Sequence, residues 1–161
     1  MEAVRAKVYV ETSVISYLVA RRNQRDLLVA SNQELTHEWW ETRRHRFDLC
    51  VSAVVLAEAA RGDQTYASAR LAVVRELTLV EVSDAARVLS QALLRRAGLP
   101  AGAHEDALHI AVSATTGMDY LLTWNCKHIA NGMIIPRVNA VVRSFGFEPP
   151  LIYTPQQLME G

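Results

Sequence analysis

The sequence predicts a three-layer α/β/α sandwich on a mostly parallel central sheet of about five strands. Short apolar runs, too brief for helices, alternate along the chain with longer segments of helical spacing. Hydroxyl residues suited to helix capping open several of those segments, and glycines close several of them. Carboxylates fall near the ends of the apolar runs, at the edge of a parallel sheet where ligands bind.

Residues 7–10 form a short apolar run after a charged lead-in and read as an interior strand, which stops at Glu11. Thr12 or Ser13 caps a helix whose stripe is Val14, Ile15, Tyr17 and Leu18, so Glu11 sits at a strand-to-helix turn. Arg21, Arg22 and Arg25 make a basic cluster in a loop. A helix of mixed character follows over about 26–44, carrying Leu27, Leu28, Trp39 and Trp40, and a second basic run covers 43–46. Residues 49–52 read as a second strand, after which Ser52 caps a helix over 53–61 that Gly62 ends. That helix is apolar on most sides, so Glu58 in its second turn needs a partner or a metal; Arg61 is the ordinary partner.

A further helix covers about 65–76, residues 78–82 branch and alternate like a third strand, and Ser83 caps a helix over 84–97 that stops at Gly98. Residues 104–128 then carry the densest signal. A helix with Ala107, Leu108, Ile110, Ala111 and Ala114 as its apolar positions breaks at Gly117 and feeds a strand over 120–123. Asp106 lies in the first turn, where the helix terminus favours a carboxylate, and Asn125 lies just past the strand's carboxyl end. A helix near 137–145, a strand over 151–153 and a turn from Thr154 and Pro155 complete the chain.

With 161 residues, 50% of them hydrophobic, residues 1–161 are expected to form a single domain. Seventeen basic residues balance seventeen acidic ones, so net charge argues neither for nor against nucleic acid. Cys50 and Cys126 read as reduced thiols, and no apolar run approaches the roughly 20 residues a membrane span requires. The expectation is a cytoplasmic protein without a membrane partner.

Glu11 after the first strand, Glu58 after the second and Asp106 before the fourth make an acidic cleft, to which Asn125 adds a neutral oxygen. Such oxygen ligands suit Mg2+ or Mn2+, and a cation there polarises a phosphodiester and activates water for in-line attack. Without a cation, like-charge proximity is expected to raise the carboxyl pKa values. Rival motifs fail on geometry: His104 and His109 stand about 500° apart around a helix, unlike a zinc-protease pair. No phosphate loop, dinucleotide fingerprint or GxSxG elbow occurs. His109 reads as an interior histidine one turn after Asp106, a spacing that also lets it line the cleft, and His128 reads as a loop histidine.

The segments VYVETSVISYL, SAVVLAEAARG and EDALHIAVSATTGMDYLLTWNCKHIAN together resemble the PIN-domain nucleases, and within them the VapC-like toxins of toxin-antitoxin pairs. The resemblance implies a PIN-like fold and a Mg2+- or Mn2+-dependent endoribonuclease held inactive by a cognate antitoxin. It implies Glu11, Glu58 and Asp106 as metal ligands and catalytic groups, with Asn125 orienting the attacking water. Thr12 or Ser13 supplies a hydroxyl nearby, and Arg21, Arg22 or Arg25 contacts RNA phosphates. It also implies a homodimer, for which Trp39 or Trp40 would be an interface anchor. The chain departs from the family pattern at Glu11, where aspartate is usual, and at Asn125, commonly acidic. A PIN-like module that binds RNA or protein without cleavage is the second reading, and a small α/β domain whose carboxylates only form ion pairs is the third.

Overall fold

In the computed structural model, which describes residues 3–159, five strands form one parallel sheet. They are β1 (Ala6–Val10), β2 (Phe47–Val51), β3 (Thr78–Leu79), β4 (Tyr120–Leu122) and β5 (Leu151–Tyr153). Their order is β3-β2-β1-β4-β5. β1 lies at the centre, with Tyr9 opposite Cys50 on one side and Leu121 on the other. Its Val8, Tyr9 and Val10 are wholly buried, as expected of a strand covered on both faces.

Among the described residues seven α-helices accompany the strands: α1 (Thr12–Val19), α2 (Leu27–Thr42), α3 (Ala53–Ala59), α4 (Gln64–Val74), α5 (Asp84–Arg96), α6 (His104–Thr115) and α7 (Ile135–Ser144). The first four pack among themselves, as do the last three, and α3 meets α6 between the two groups. Since connections from β1 run toward β2 and those from β3 return across it to β4, right-handed crossovers put the two groups on opposite faces. Gly117 (φ 71) ends α6 in the left-handed region, and the chain turns there into β4. No helix among the described residues is long and apolar enough to cross a membrane.

Several boundaries differ from the sequence reading for local reasons. β2 begins at Phe47, whose ring stacks on Trp39 at 5.8 Å and meets Tyr120 edge-on at 6.0 Å. β3 is only two residues long, although Val80 still donates to the Val51 carbonyl before the chain leaves for α5. Asp26 caps α2 by accepting from Leu28 and Val29, whose neighbour Leu27 and Leu28 itself are exposed instead of packed. The basic run ends in a 3-10 turn, Arg44–Arg46.

Trp39 is wholly buried, and its indole N–H donates to the Leu158 carbonyl, tying α2 to the end of the chain. Trp40 is partly buried and lies under the Arg44 guanidinium at 5.1 Å. The tryptophan anchor expected of a dimer is therefore corrected for Trp39, which belongs to the core.

Leu121, wholly buried in β4 between β1 and β5, tests how much this layer contributes. Leu121→Ala is expected to lower unfolding free energy by about 2–5 kcal/mol, read as a lower urea midpoint with an unchanged slope.

Candidate functional site

β1 and β4 are neighbours whose onward connections leave in opposite directions, so their carboxyl ends open the crevice in which such sheets bind ligands. Glu11 enters it directly: its N–H donates to the Leu122 carbonyl at 3.0 Å, extending the ladder by one residue. Glu11 is only 4% exposed, and its carboxylate acts as the N-cap of α1, accepting from the Ser13 N–H at 3.0 Å. Its other oxygen accepts from the hydroxyls of Ser13 and Thr123. Ser13 Oγ in turn accepts from the Trp124 N–H at 2.8 Å, and Thr123 Oγ1 from the Asn125 N–H at 2.9 Å. Thus the cap expected of Thr12 or Ser13 is supplied by Glu11 itself, and the two hydroxyls are released for other partners.

Thr12 uses its freedom to reach α3, donating to Glu58 Oε1 at 2.8 Å. The same oxygen accepts from Nε2 of His109, a wholly buried ring on α6. Behind the ring, Nδ1 lies 2.7 Å from the Tyr9 hydroxyl, which is joined to Ser52 Oγ at 2.7 Å. Ser52 closes the chain by capping α3 at the Val54 N–H. One ligand atom from each of Glu11, Glu58 and His109 lies within 4.8 Å of the others. Two carboxylates and an imidazole from three different elements therefore face one space.

Burial alone would raise the Glu58 carboxyl, but the His109 hydrogen bond and charge, then the Thr12 hydroxyl, outweigh it and hold the group below its ordinary 4.5. This corrects the expectation that like-charge crowding raises it. Burial would likewise lower His109; the Glu58 hydrogen bond and the charges of Glu11, Glu58 and Asp106 override it and lift the imidazole above 6.5. Tyr9 is pushed far up, chiefly by burial, and stays a neutral phenol.

Asp106 stands in a second set. Oδ1 accepts from the Asn125 amide at 3.0 Å and Oδ2 from His128 Nδ1 at 2.9 Å, while Asn125 Oδ1 accepts from the His128 N–H at 3.0 Å. Asp106 and His128 remain about one-fifth exposed, at 19% and 23%. The link between the sets is the Thr123 hydroxyl, which touches both Glu11 and Asn125.

Among the described residues no hydrogen bond or ion pair joins Arg21, Arg22 or Arg25 to these carboxylates; all three are exposed, and Arg22 pairs with Glu34 at 2.8 Å. Arg21 lines a groove of about 510 Å³ with Arg61, Tyr66 and Arg70. Arg61, the ordinary partner expected for Glu58, instead bridges α3 to α6 by pairing with Glu105 at 2.8 Å.

The sequence reading passed over Tyr9 and Thr123 and treated His109 and His128 as interior and loop residues. For His109 a signal existed, its one-turn spacing from Asp106. For Tyr9, Thr123 and His128 the contacts span 43 to 112 positions for the first two and 22 for the last, and no local pattern reports them.

Comparison with known proteins agrees with the architecture. The family model described as the PIN domain matches residues 8–125, which includes Glu11, Glu58, Asp106, His109 and Asn125. No curated protein matches the sequence. Among solved structures, the chain is similar to VapC20 of Mycobacterium tuberculosis, described as a sarcin-ricin loop cleaving toxin. The TM-score is 0.57 and identity 18%, covering 74% of this chain and 91% of that one. It is also similar to VapBC2 of Rickettsia felis, solved bound to a DNA fragment from its promoter. Here the TM-score is 0.53 and identity 16%, covering 92% of this chain and 98% of that one. At these identities the likeness is one of fold.

The coupled pair gives metal-free protein a defined pH response. Glu58, held low, contributes stability that is present above its ordinary 4.5 and lost as pH falls through its native value. His109, held high, contributes stability that is present below its ordinary 6.5 and lost as pH rises through its native value. In EDTA, the melting-temperature difference between wild type and Glu58→Gln should therefore be most in the wild type's favour between pH 4.5 and 6.5 and decline on both sides.

Proposed function

This chain belongs to the PIN domain family, and from that membership we propose that it is a divalent-cation-dependent endoribonuclease of the VapC toxin type, using Mg2+ or Mn2+. The observation that carries the reading is the convergence of Glu11, Glu58 and His109 on one space at the sheet's switch point. Two carboxylates with an imidazole are a donor set that fits a divalent cation. Bound there, the cation supplies Lewis-acid polarisation of a phosphodiester and a lowered pKa for water.

In this reading Glu11, Glu58 and Asp106 are the carboxylates that hold it. Asp106 accepts two hydrogen bonds, which leaves lone-pair capacity on a carboxylate. Asn125 fixes the Asp106 rotamer through its amide and orients the attacking water. Ser13 and Thr12 set the Glu11 and Glu58 carboxylates. The groove of Arg21, Arg61, Arg70 and Tyr66 offers guanidinium and ring contacts to RNA phosphates and bases, and the exposed Arg22 and Arg25 are further candidates for phosphate contact. The same reading takes the protein to be a single cytoplasmic PIN domain that pairs with itself and is silenced by a cognate antitoxin; the fold likeness to VapBC2 supports that partner.

Cleavage of a labelled set of tRNA and structured RNA is the test. Activity is expected with Mn2+, absent in EDTA, and reduced by about 100-fold or more in Asp106→Asn, the scale of a lost acid-base or electrostatic group. Full metal-dependent cleavage by Asp106→Asn would overturn the assignment. A second readout is stability: Mn2+ at 100 times its Kd should raise unfolding free energy by about 2.7 kcal/mol, whereas carboxylates engaged only in ion pairs would give no saturable effect.

A further inference from the structure

Resting on the reading of this crevice as a divalent-cation site, we propose that His109 is a nitrogen ligand to the cation. The site then takes a borderline first-row transition ion in preference to Mg2+. Mg2+ favours all-oxygen coordination and retained waters, whereas imidazole suits later transition ions. The identity of the third donor beside Glu11 and Glu58 thus decides which ion the protein selects.

Four observations make that donor an imidazole. A ring nitrogen of His109 lies within 4.8 Å of oxygens of Glu11 and Glu58, and Nε2 is the one in contact with Glu58 Oε1. Nδ1 is occupied on the opposite side, 2.7 Å from the Tyr9 hydroxyl. With Nδ1–H donating to Tyr9 and Tyr9 donating to Ser52, the Nε2 lone pair faces the crevice. That is the orienting arrangement found behind metal-bound histidines, in which the second ring nitrogen donates to an oxygen that fixes tautomer and direction.

Third, the ring cannot turn away. It is wholly buried and meets Tyr9 edge-on, with centroids 5.6 Å apart. Fourth, Asp106 is not among the groups whose ligand atoms lie within 4.8 Å of one another, so His109 adds to the carboxylates that hold the ion and does not stand in for Asp106. Cation binding displaces the proton that Nε2 shares with Glu58, and that proton leaves to solvent.

The competing role is a purely structural one, in which His109 only pairs with Glu58 and all cation ligands are oxygens. Metal-stripped full-length protein titrated with Mg2+, Mn2+ and Co2+ separates the two. Wild type is expected to hold Co2+ at least about tenfold more tightly than Mg2+. Its Co2+ form should show one exchangeable, hyperfine-shifted proton, that of the His109 Nδ1–H, retained in His128→Gln. His109→Gln should lose that proton and narrow the Co2+ to Mg2+ affinity ratio by about tenfold or more.

Because His109 is buried, Tyr9→Phe is the second variant; it keeps the ring's shape and removes only the orienting hydroxyl. It should weaken Co2+ binding about 10–100-fold and Mg2+ binding far less. A Co2+ complex without the shifted proton, or an unchanged Co2+ to Mg2+ ratio in both variants, overturns the ligand role and leaves the cation site standing. Failure of wild type to bind any of the three ions overturns the cation site itself and the ligand role with it.

Discussion

The carboxyl edge of this sheet depends on a buried charge being satisfied. Glu11 is 4% exposed, and an ionised carboxylate so far from water is tolerated only when hydrogen bonds replace its hydration. Three donors do so, two from Ser13 and one from Thr123. Because Ser13 lies on α1 and Thr123 follows β4, solvating Glu11 also fastens the end of β1 to the end of β4. The Trp124 and Asn125 N–H groups then hold those hydroxyls in turn. A requirement of one charge has become the geometry of the crevice.

The same logic runs through the second carboxylate. Glu58 sits on a helix that is apolar on most sides, and its partners come from α1 and α6, as the Thr12 hydroxyl and the His109 ring. His109 is itself backed by Tyr9 and Ser52, so a chain of hydrogen bonds passes from the cap of α3 through β1 and α6 and returns to α3. Each member is fixed by the next, which restricts rotamers and preorganises the atoms facing the crevice. Arg61 and Glu105 add an exposed clasp between α3 and α6 nearby, whose energetic weight is small next to the buried chain.

The groups at the crevice differ in exposure. Glu11 and His109 are buried, whereas Glu58, Asp106 and His128 each keep about one-fifth of the side chain in contact with solvent. Under the proposed function, a cation held by these carboxylates, with a basic, tyrosine-containing groove among the surface concavities, would suit a polyanionic substrate. Zero net charge means that such a substrate would be recognised by that local patch and not by the overall field.

Much of this was legible in the residues alone. The strand-helix alternation, the hydroxyl caps at Ser52 and Ser83 and the stop at Gly117 are local signals, and each of them holds in the structure. The carboxylates at strand ends were legible for the same reason, since parallel-sheet topology sends every strand's carboxyl end to one edge. What local signals do not carry is which groups meet. That Trp39 is core, that Arg61 turns to Glu105 and that Asp106 keeps company with Asn125 and His128 are outcomes of packing. The role of His109 is of the same kind: its spacing put it one turn from Asp106, but its partners, Tyr9 and Glu58, lie 100 and 51 positions away. Sequence determines an element through neighbours three or four residues apart. A site assembled across a switch point is decided by contacts between elements, which exist only once the sheet has brought β1, α3 and α6 together.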